Sequence, residues 1–304
     1  MRLLSDFDGV WTHPREEGLA QGVLLDELMV LWSPAQDRDE TRVWLSAARQ
    51  AVLAEPSRFG WAPGGRISCF ADEDPFAVHS ALLHYLQGRR DDDAIAARLV
   101  RSVLAQGHGS LEDFGGWCHR VSVRMLQISR GPTILPGAVR AGLDMLGGGI
   151  DIVVVSNSGT QKLVDWFAPT AVPTVVDDPS RTMPAATVRL RGNALKFVLD
   201  EHVRSPLLAG SIAVETARPH YEQVIRAELE HHQGARAVVG DLFSIDLSLP
   251  LRLRRTEPAF AGVRLFWIVR DYTPARMQSA LAAFAPEVEQ VSGLEEVAAR
   301  LLAG

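Results

Sequence analysis

The stretch Leu3-Leu4-Ser5-Asp6-Phe7-Asp8-Gly9 decides the fold of this chain. A short apolar run that ends in a glycine turn is typical of a buried strand, and here two carboxylates follow the run one residue apart. Carboxylates that close repel each other unless a positive charge lies nearby. Because successive side chains of an extended chain point in opposite directions, Asp6 and Asp8 are able to take separate roles.

Two other apolar runs in the chain also end in polar residues. Residues 150–155 lead into Ser156 and Asn157, and residues 235–240 lead into Asp241. The carboxyl ends of neighbouring parallel strands open into one crevice, so we expect these side chains to converge with the two N-terminal aspartates. Three carboxylates in one crevice require a cation, and oxygen-only ligation suits Mg²⁺.

The order of the elements predicts an α/β fold. From Pro136 onward helical patterns alternate with buried strands, of which residues 262–269 form the third, and the tail 288–304 fits an edge strand and a closing helix. Such alternation predicts a doubly wound parallel sheet. Residues 169–217 are a longer stretch than this core needs, and their pattern assigns them no clear element.

Residues 14–130 differ from the rest of the chain because helical patterns dominate them. Runs of apolar residues at helical spacing lie at 75–88, 91–107 and 110–129. The acids Asp91–Asp93 are predicted to cap the second run, and Ser110 opens the third with a capping pattern. We therefore predict a core domain of residues 1–13 and 131–304 and a helical insert of residues 14–130, with the boundary near Arg130-Gly131-Pro132.

The composition bounds the compartment and the partners. The chain has 304 residues, of which 47% are hydrophobic, and its formal net charge of −6 argues against nucleic acid or an anionic membrane as a partner. Cys69 and Cys118 have no paired spacing, which indicates buried thiols in a reducing compartment. The apolar runs are too short to span a bilayer and the first strand begins at Met1, so we expect a cytoplasmic protein without a cleaved leader.

Three short motifs resemble those of a known superfamily. The stretches DFDGV (6–10), VVVSNSG (153–159) and VVGDLFSID (238–246), each at the end of an apolar run and in this order, resemble motifs I, II and IV of the haloacid dehalogenase-like phosphohydrolases. The resemblance covers the core domain, and the helical insert lies where that superfamily places its C1-type cap. It implies a Rossmann-like α/β core with an inserted α-helical cap.

The resemblance also implies roles for the residues that bind and attack the substrate. Asp6 would attack phosphorus and carry an aspartyl-phosphate, while Asp8 would protonate the leaving group and then activate water. Ser156 would hydrogen-bond the phosphoryl oxygens. Gly9 and Asn157, the latter through its backbone, would help to bind the substrate.

The same resemblance implies a magnesium site. Asp6 and the backbone carbonyl of Asp8 would ligate Mg²⁺, and Asp241 would complete the site. Asp246 would act on the metal through water or from the outer shell.

The basic residue of the superfamily's motif III is not determined by the pattern. Arg218, next to Pro219 at a helix start, lies at about the expected distance before the third polar-ended strand and is favoured on spacing. Lys196 also begins a helical pattern but lies farther upstream, and it remains a rival. Either residue is alternatively a solvated surface charge.

The function favoured by these patterns is a Mg²⁺-dependent phosphatase for a small phosphorylated metabolite, with the insert closing over the crevice. A phosphotransferase or phosphomutase on the same fold, and a non-catalytic binding protein, remain as alternatives. A dehalogenase is less favoured, because cleavage of a carbon–halogen bond needs no acid at Asp8. The pattern leaves the oligomeric state open.

Overall fold

The computed structural model describes residues 1–131, 133–178, 184–210 and 212–303. These residues divide into two compact units, one made of 1–13 with the described part of 132–304 and the other of 14–131. Pro132, one of the three residues at the predicted boundary, lies outside the described ranges. Among the helices described, none has both the length and the apolar character needed to cross a membrane.

The strands of the described residues form one large sheet and two short ribbons. They are β1 (Arg2–Ser5), β2 (Gly60–Trp61), β3 (Cys69–Phe70), β4 (Asp151–Val155), β5 (Thr174–Val176), β6 (Val188–Arg191), β7 (Pro206–Ala209), β8 (Ile212–Glu215), β9 (Arg236–Gly240), β10 (Val263–Ile268) and β11 (Val288–Val291). The large sheet has the order β11-β10-β9-β1-β4-β6-β5, and each neighbouring pair in it is parallel. The ribbons β2–β3 and β7–β8 are antiparallel.

The helices described are distributed over both units. They are α1 (Arg15–Leu31), α2 (Arg38–Ala54), α3 (Ala77–Arg89), α4 (Ala94–Ala105), α5 (Leu111–Arg130), α6 (Pro136–Gly147), α7 (Thr160–Phe167), α8 (Pro219–Ile225), α9 (Ser248–Thr256), α10 (Ala275–Leu281) and α11 (Leu294–Leu302). Helices α1–α5 belong to the unit of residues 14–131, and the others belong to the unit that contains the large sheet.

The large sheet confirms the predicted α/β class. Helices α6, α7 and α11 pack on the face that carries Leu3, Ile152 and Val239. The alternate residues Leu4 and Val153, which point to the opposite face, are also buried. A strand that is covered on both faces reads as a continuous apolar run, which is why the sequence pattern identified β4 and β9.

The unit of residues 14–131 is mostly helical and has its own apolar core, to which α1–α5 all contribute. Two of its helix starts have the caps that the pattern predicts. The Asp93 carboxylate accepts hydrogen bonds from the first turn of α4, and the Ser110 hydroxyl accepts one from the Asp113 amide. Each cap satisfies backbone N–H groups that have no partner within the helix.

The stretch that the sequence pattern did not assign contains two sheet strands, β5 and β6, and the β7–β8 ribbon. Strand β6 reads Val188-Arg189-Leu190-Arg191, so its charges hide it from a search for apolar runs. The Arg189 guanidinium contacts three carboxylates, Glu228 at 2.8 Å, Asp177 at 3.1 Å and Asp151 at 3.3 Å. A strand with two arginines is stable here because acidic residues from other elements neutralise them.

Removal of the Arg189 charge is expected to destabilise this unit. Arg189→Met should lower the free energy of unfolding by about 3 kcal/mol, because a buried ionic cluster that loses one partner keeps uncompensated charge. The loss of stability should not be larger, because Arg191 still contacts Glu228 at 2.9 Å and compensates its charge. The matched control is Arg140→Met, since the exposed Arg140 lies 3.7 Å from an exposed Glu295 and should matter by less than about 1 kcal/mol. Urea denaturation measures both, and equal losses would contradict the prediction.

Candidate active site

The strand register brings the ends of three strands to one edge of the sheet. Ser5 of β1 pairs with Val154 of β4 on one side and with Val239 of β9 on the other. Asp6 therefore follows the central strand, with the residues after β4 and β9 beside it, and its amide donates a hydrogen bond to the Val239 carbonyl at 2.9 Å. The three polar strand ends that the sequence singles out are thus neighbours.

A cluster of carboxylates lies at this edge. Oxygen atoms of Asp6, Asp241 and Asp246 all lie within 4.8 Å of one another. All three side chains are buried, so the repulsion between them is not relieved by bulk water. Such an arrangement requires positive charge close by.

Lys196 supplies one such charge. Its ammonium group lies 2.6 Å from Asp6 Oδ1 and 2.6 Å from Asp246 Oδ1, and its side chain is 2% exposed. Burial alone would lower the pKa of Lys196, but the Asp246 and Asp6 carboxylates outweigh this and raise it above its ordinary value. Burial and the Asp246 carboxylate raise the pKa of Asp6, against the lowering effect of Lys196.

Arg218 and Asn157 hold the backbone of Lys196. Arg218 is 1% exposed, and its Nη1 donates a hydrogen bond of 2.7 Å to the Lys196 carbonyl. The Lys196 amide donates to Asn157 Oδ1 at 2.7 Å. Of the two basic residues that the sequence offered for one role, Lys196 contacts Asp6 and Arg218 contacts the backbone of Lys196. The geometry therefore favours Lys196 as the charge partner of Asp6.

Asp8 has a different environment from Asp6. Ser158 Oγ donates to Asp8 Oδ2 at 2.8 Å, and the Lys162 ammonium lies 3.1 Å from Asp8 Oδ1. The same ammonium lies over the Trp166 ring, 5.2 Å from its centre. Sequence reasoning missed Ser158 and Lys162. Their positions in the sequence could have identified them. Ser158 belongs to the SNSG stretch (156–159), and Lys162 lies in the first turn of the helix that follows it.

Two glycines at this site allow close approach of backbone to carboxylate. Gly9 has a φ of +78°, and a Cβ added to it would lie 2.1 Å from an Asp241 oxygen. A Cβ on Gly240 would lie 2.3 Å from the Asp246 Cβ. Any side chain at Gly9 would displace Asp241. The Gly9 backbone therefore packs directly against this carboxylate.

Ser156 lies directly after β4 and is buried. Its hydroxyl oxygen accepts a hydrogen bond of 3.0 Å from the Ser158 amide. Its own amide donates to the Arg191 carbonyl of the neighbouring strand at 3.0 Å. These contacts fix the turn between β4 and α7, and this turn carries Ser156, Asn157 and Ser158 to the same edge of the sheet as Asp6.

Asp241 and Asp246 are held by groups from several elements. Tyr272 donates its hydroxyl hydrogen to Asp241 Oδ2 at 2.6 Å, and Trp267 Nε1 donates to the Asp241 carbonyl at 2.8 Å. Asp246 Oδ2 accepts a hydrogen bond from the Leu242 amide at 3.1 Å. The positions of both carboxylates are therefore determined by contacts outside the cluster itself.

The donor set fits a hard divalent cation. Asp6, Asp241 and Asp246 offer only carboxylate oxygens, which Mg²⁺ prefers. When all groups are ionised, three carboxylates and the Lys196 ammonium leave the cluster with two excess negative charges, and a divalent cation would balance them. The Asp8 carboxylate has partners of its own, Ser158 and Lys162.

The topology and the site together match the arrangement that the sequence motifs imply. A helical unit follows β1, the central strand β1 lies between β9 and β4, and the carboxylates of the first and last motifs meet beside it. This α/β core, with a helical unit after its first strand, resembles the haloacid dehalogenase-like fold that the sequence motifs imply. The parallel sheet confirms the predicted α/β class.

Comparison with known proteins finds solved structures that are similar over nearly the whole chain at low identity. One similar solved structure is the putative HAD-hydrolase YfnB from Bacillus subtilis bound to magnesium, at 12% identity and a TM-score of 0.47, over 99% of this chain and 97% of that one. Another is L-2-haloacid dehalogenase from Xanthobacter autotrophicus, at 13% identity and a TM-score of 0.37, over 100% of this chain and 98% of that one. No family model and no curated protein matches the chain.

Proposed function

We propose that the protein is a Mg²⁺-dependent phosphatase that hydrolyses a small phosphorylated metabolite through an aspartyl-phosphate on Asp6. The observation that carries this proposal is the Lys196 ammonium, 2.6 Å from both Asp6 and Asp246 within a cluster of buried carboxylates. A phosphoryl group brings negative charge to its nucleophile. Lys196 offsets that charge at the atom that would attack.

In the first step, a carboxylate oxygen of Asp6 forms a bond to phosphorus while the ester P–O bond breaks. Asp8, in its protonated form, donates its proton to the leaving oxygen, so that an alcohol departs. Ser158 and Lys162 orient the Asp8 side chain through its two oxygens. The Ser156 hydroxyl is proposed to donate to a phosphoryl oxygen.

In the second step, Asp8 is a carboxylate and takes a proton from water as the water oxygen bonds to phosphorus. The bond between phosphorus and the Asp6 oxygen breaks, inorganic phosphate leaves, and Asp8 has regained its proton. Asp6, Asp241 and Asp246, with the Asp8 carbonyl, would hold Mg²⁺. When bound, the ion would supply positive charge that stabilises the negative charge of the phosphoryl oxygens.

The second aspartate of the first motif, Asp8, supports a phosphatase over a dehalogenase. In a dehalogenase the leaving halide needs no proton, and the proton donor proposed at Asp8 would have no task. A phosphotransferase would share both steps and differ in the acceptor, which is an alcohol instead of water.

The test of the proposed function is release of inorganic phosphate from p-nitrophenyl phosphate and from a panel of sugar, nucleoside and carboxylic-acid phosphates. We expect release with Mg²⁺ and none with EDTA. Turnover in ¹⁸O-labelled water should place one ¹⁸O in each phosphate released, because water attacks phosphorus. Transfer of unlabelled phosphoryl groups to an added sugar would instead identify a phosphotransferase, and absence of any release from the whole panel would count against the proposal.

Loss of one metal-binding carboxylate should appear first as a higher magnesium requirement. Asp241→Asn keeps the size of the side chain and removes its charge, so we expect the Mg²⁺ concentration for half-maximal activity to rise about 10- to 100-fold. Asp165→Asn is the matched control, because Asp165 is an exposed aspartate on α7. A titration of initial rate against Mg²⁺ measures both, and an unchanged requirement in Asp241→Asn would place the metal elsewhere.

We propose a cytoplasmic location and a small-molecule substrate, without nucleic acid or membrane as a partner. The formal net charge of −6 supports this, since both of those partners attract basic surfaces. Cys69 and Cys118 are buried and neither is part of a disulfide among the described residues, and a reducing compartment preserves such thiols.

A further inference from the structure

We infer that Tyr272 is a positioning residue for the metal-binding carboxylate Asp241, and that the loop of residues 270–273 sets the affinity of the site for Mg²⁺. This inference rests on the magnesium site of the proposed function. The loop follows β10, outside all three sequence motifs. Its side chains contact both segments that carry the metal-binding groups, the one after β1 and the one after β9.

The first contact is between Tyr272 and Asp241. The phenol hydroxyl donates to Asp241 Oδ2 at 2.6 Å, a short distance that is typical of an O–H donor bound to an ionised carboxylate. Because the hydroxyl binds one particular oxygen, it limits rotation of the carboxylate about its Cβ–Cγ bond. Trp267, at the end of β10, holds the Asp241 carbonyl at 2.8 Å, so the backbone and the side chain of Asp241 are both positioned from the β10 side.

The second contact is between Arg270 and the segment after β1. Arg270 Nε donates to the Gly9 carbonyl at 2.7 Å, and its Nη2 donates to the Val10 carbonyl at 3.3 Å. Gly9 in turn lies so close to Asp241 that a Cβ on it would come within 2.1 Å of the carboxylate. The Asp241 carboxylate is therefore bordered by Tyr272 and by a glycine that Arg270 holds in place.

The loop itself is well suited to act as a rigid support. The Arg270 amide donates to Thr273 Oγ1 at 2.8 Å, and the Thr273 amide donates to the Arg270 carbonyl at 3.1 Å, which closes the loop on itself. The His13 ring meets the Tyr272 ring edge-on, with centres 5.7 Å apart. His13 also lies 3.3 Å from Asp271. These contacts limit the motion of the Tyr272 ring. Its hydroxyl therefore loses less conformational entropy when it holds the Asp241 carboxylate in place.

Positioning of the Asp241 carboxylate by Tyr272 should affect metal binding specifically. A carboxylate that is already oriented binds Mg²⁺ without a reorganisation cost, whereas one that rotates must be ordered at the moment of binding. Groups that orient metal ligands typically contribute 10- to 100-fold in affinity. A purely structural tyrosine would instead affect the unfolding midpoint and leave the metal affinity of the folded protein unchanged.

The experiment is calorimetric titration of the full chain with Mg²⁺ alone, on wild type, Tyr272→Phe and Tyr85→Phe. Tyr85 is the matched control, because it packs against Phe59 in the helical unit of residues 14–131. We expect the Kd for Mg²⁺ to rise about tenfold or more in Tyr272→Phe and to stay at the wild-type value in Tyr85→Phe. Unfolding midpoints measured in EDTA should be similar for the two variants.

The possible outcomes separate this inference from the proposed function. Tighter or unchanged Mg²⁺ binding in Tyr272→Phe would overturn the inference while leaving the metal site in place. A wild-type protein that binds no Mg²⁺ would overturn the metal part of the proposed function and the inference with it. If Tyr272→Phe does not fold, Arg270→Gln takes its place, with the same expected rise in Kd because it releases the Gly9 carbonyl.

Discussion

Replacement of Asp6 by asparagine is expected to abolish turnover, with a loss of about 10⁴-fold or more in kcat. An amide oxygen is a far weaker nucleophile than a carboxylate, and asparagine forms no aspartyl-phosphate. The side chain keeps its size, and its oxygen still accepts the hydrogen bond that Lys196 now donates at 2.6 Å. The variant should therefore fold, since the substitution also removes one of the charges that repel Asp246.

Two measurements check this prediction. The first is phosphate release by Asp6→Asn beside Asp165→Asn, the surface control on α7, which should keep wild-type activity. The second is acid quenching with ³²P-labelled substrate, which should trap label on the wild-type protein and none on Asp6→Asn. If Asp6→Asn kept activity within about tenfold of wild type, attack by this carboxylate would be ruled out.

The second large effect is expected at Lys196. Lys196→Met should lower kcat by about 10³-fold, because it removes the positive charge beside the nucleophile, and one well-placed donor is worth 10²- to 10³-fold. It should also destabilise the metal-free protein by about 3 kcal/mol or more, because Asp6 and Asp246 then remain buried without their cation. Mg²⁺ should recover part of this stability, since it binds the folded state.

Arg218→Gln is the variant that separates the two basic residues. It removes the positive charge and keeps a shorter N–H donor beside the Lys196 carbonyl, which Arg218 now contacts at 2.7 Å. We expect it to retain activity within about tenfold of wild type, since Arg218 supports the backbone of Lys196. Rates on one phosphate ester compare Arg218→Gln with Lys196→Met, and unfolding in EDTA checks that both variants are folded. If Arg218→Gln lost as much activity as Lys196→Met, Arg218 would be the charge partner of Asp6.

Much of the core was predictable because its strands are covered on both faces. Strands β4 and β9 lack any long polar interruption, and each ends directly in the residue that the site uses. Strand β6 escaped the pattern for the opposite reason. Arg189 and Arg191 interrupt its apolar residues, and the carboxylates that neutralise them come from elements more than ten residues away in sequence.

The order of strands in the sheet explains why spacing favoured Arg218 whereas the geometry favours Lys196 as the charge partner of Asp6. Arg218 precedes β9 in sequence, so its spacing to Asp241 looked appropriate. Lys196 follows β6, which lies beside β4 in the sheet, and Asn157 after β4 holds the Lys196 amide. Proximity in the sheet therefore brings Lys196 to Asp6, although 190 residues separate them.

The amino-acid sequence by itself determined the α/β class and the positions of Asp6, Asp8, Ser156 and Asp241. It did so because apolar runs and the polar residues at their ends are local features, readable without knowledge of the partner strands. Only the tertiary structure decided the contacts of Lys196, the two donors on Asp8 and the approach of Tyr272 to Asp241. Each of these depends on which elements become neighbours, and that is settled by packing of the whole sheet rather than by any one segment.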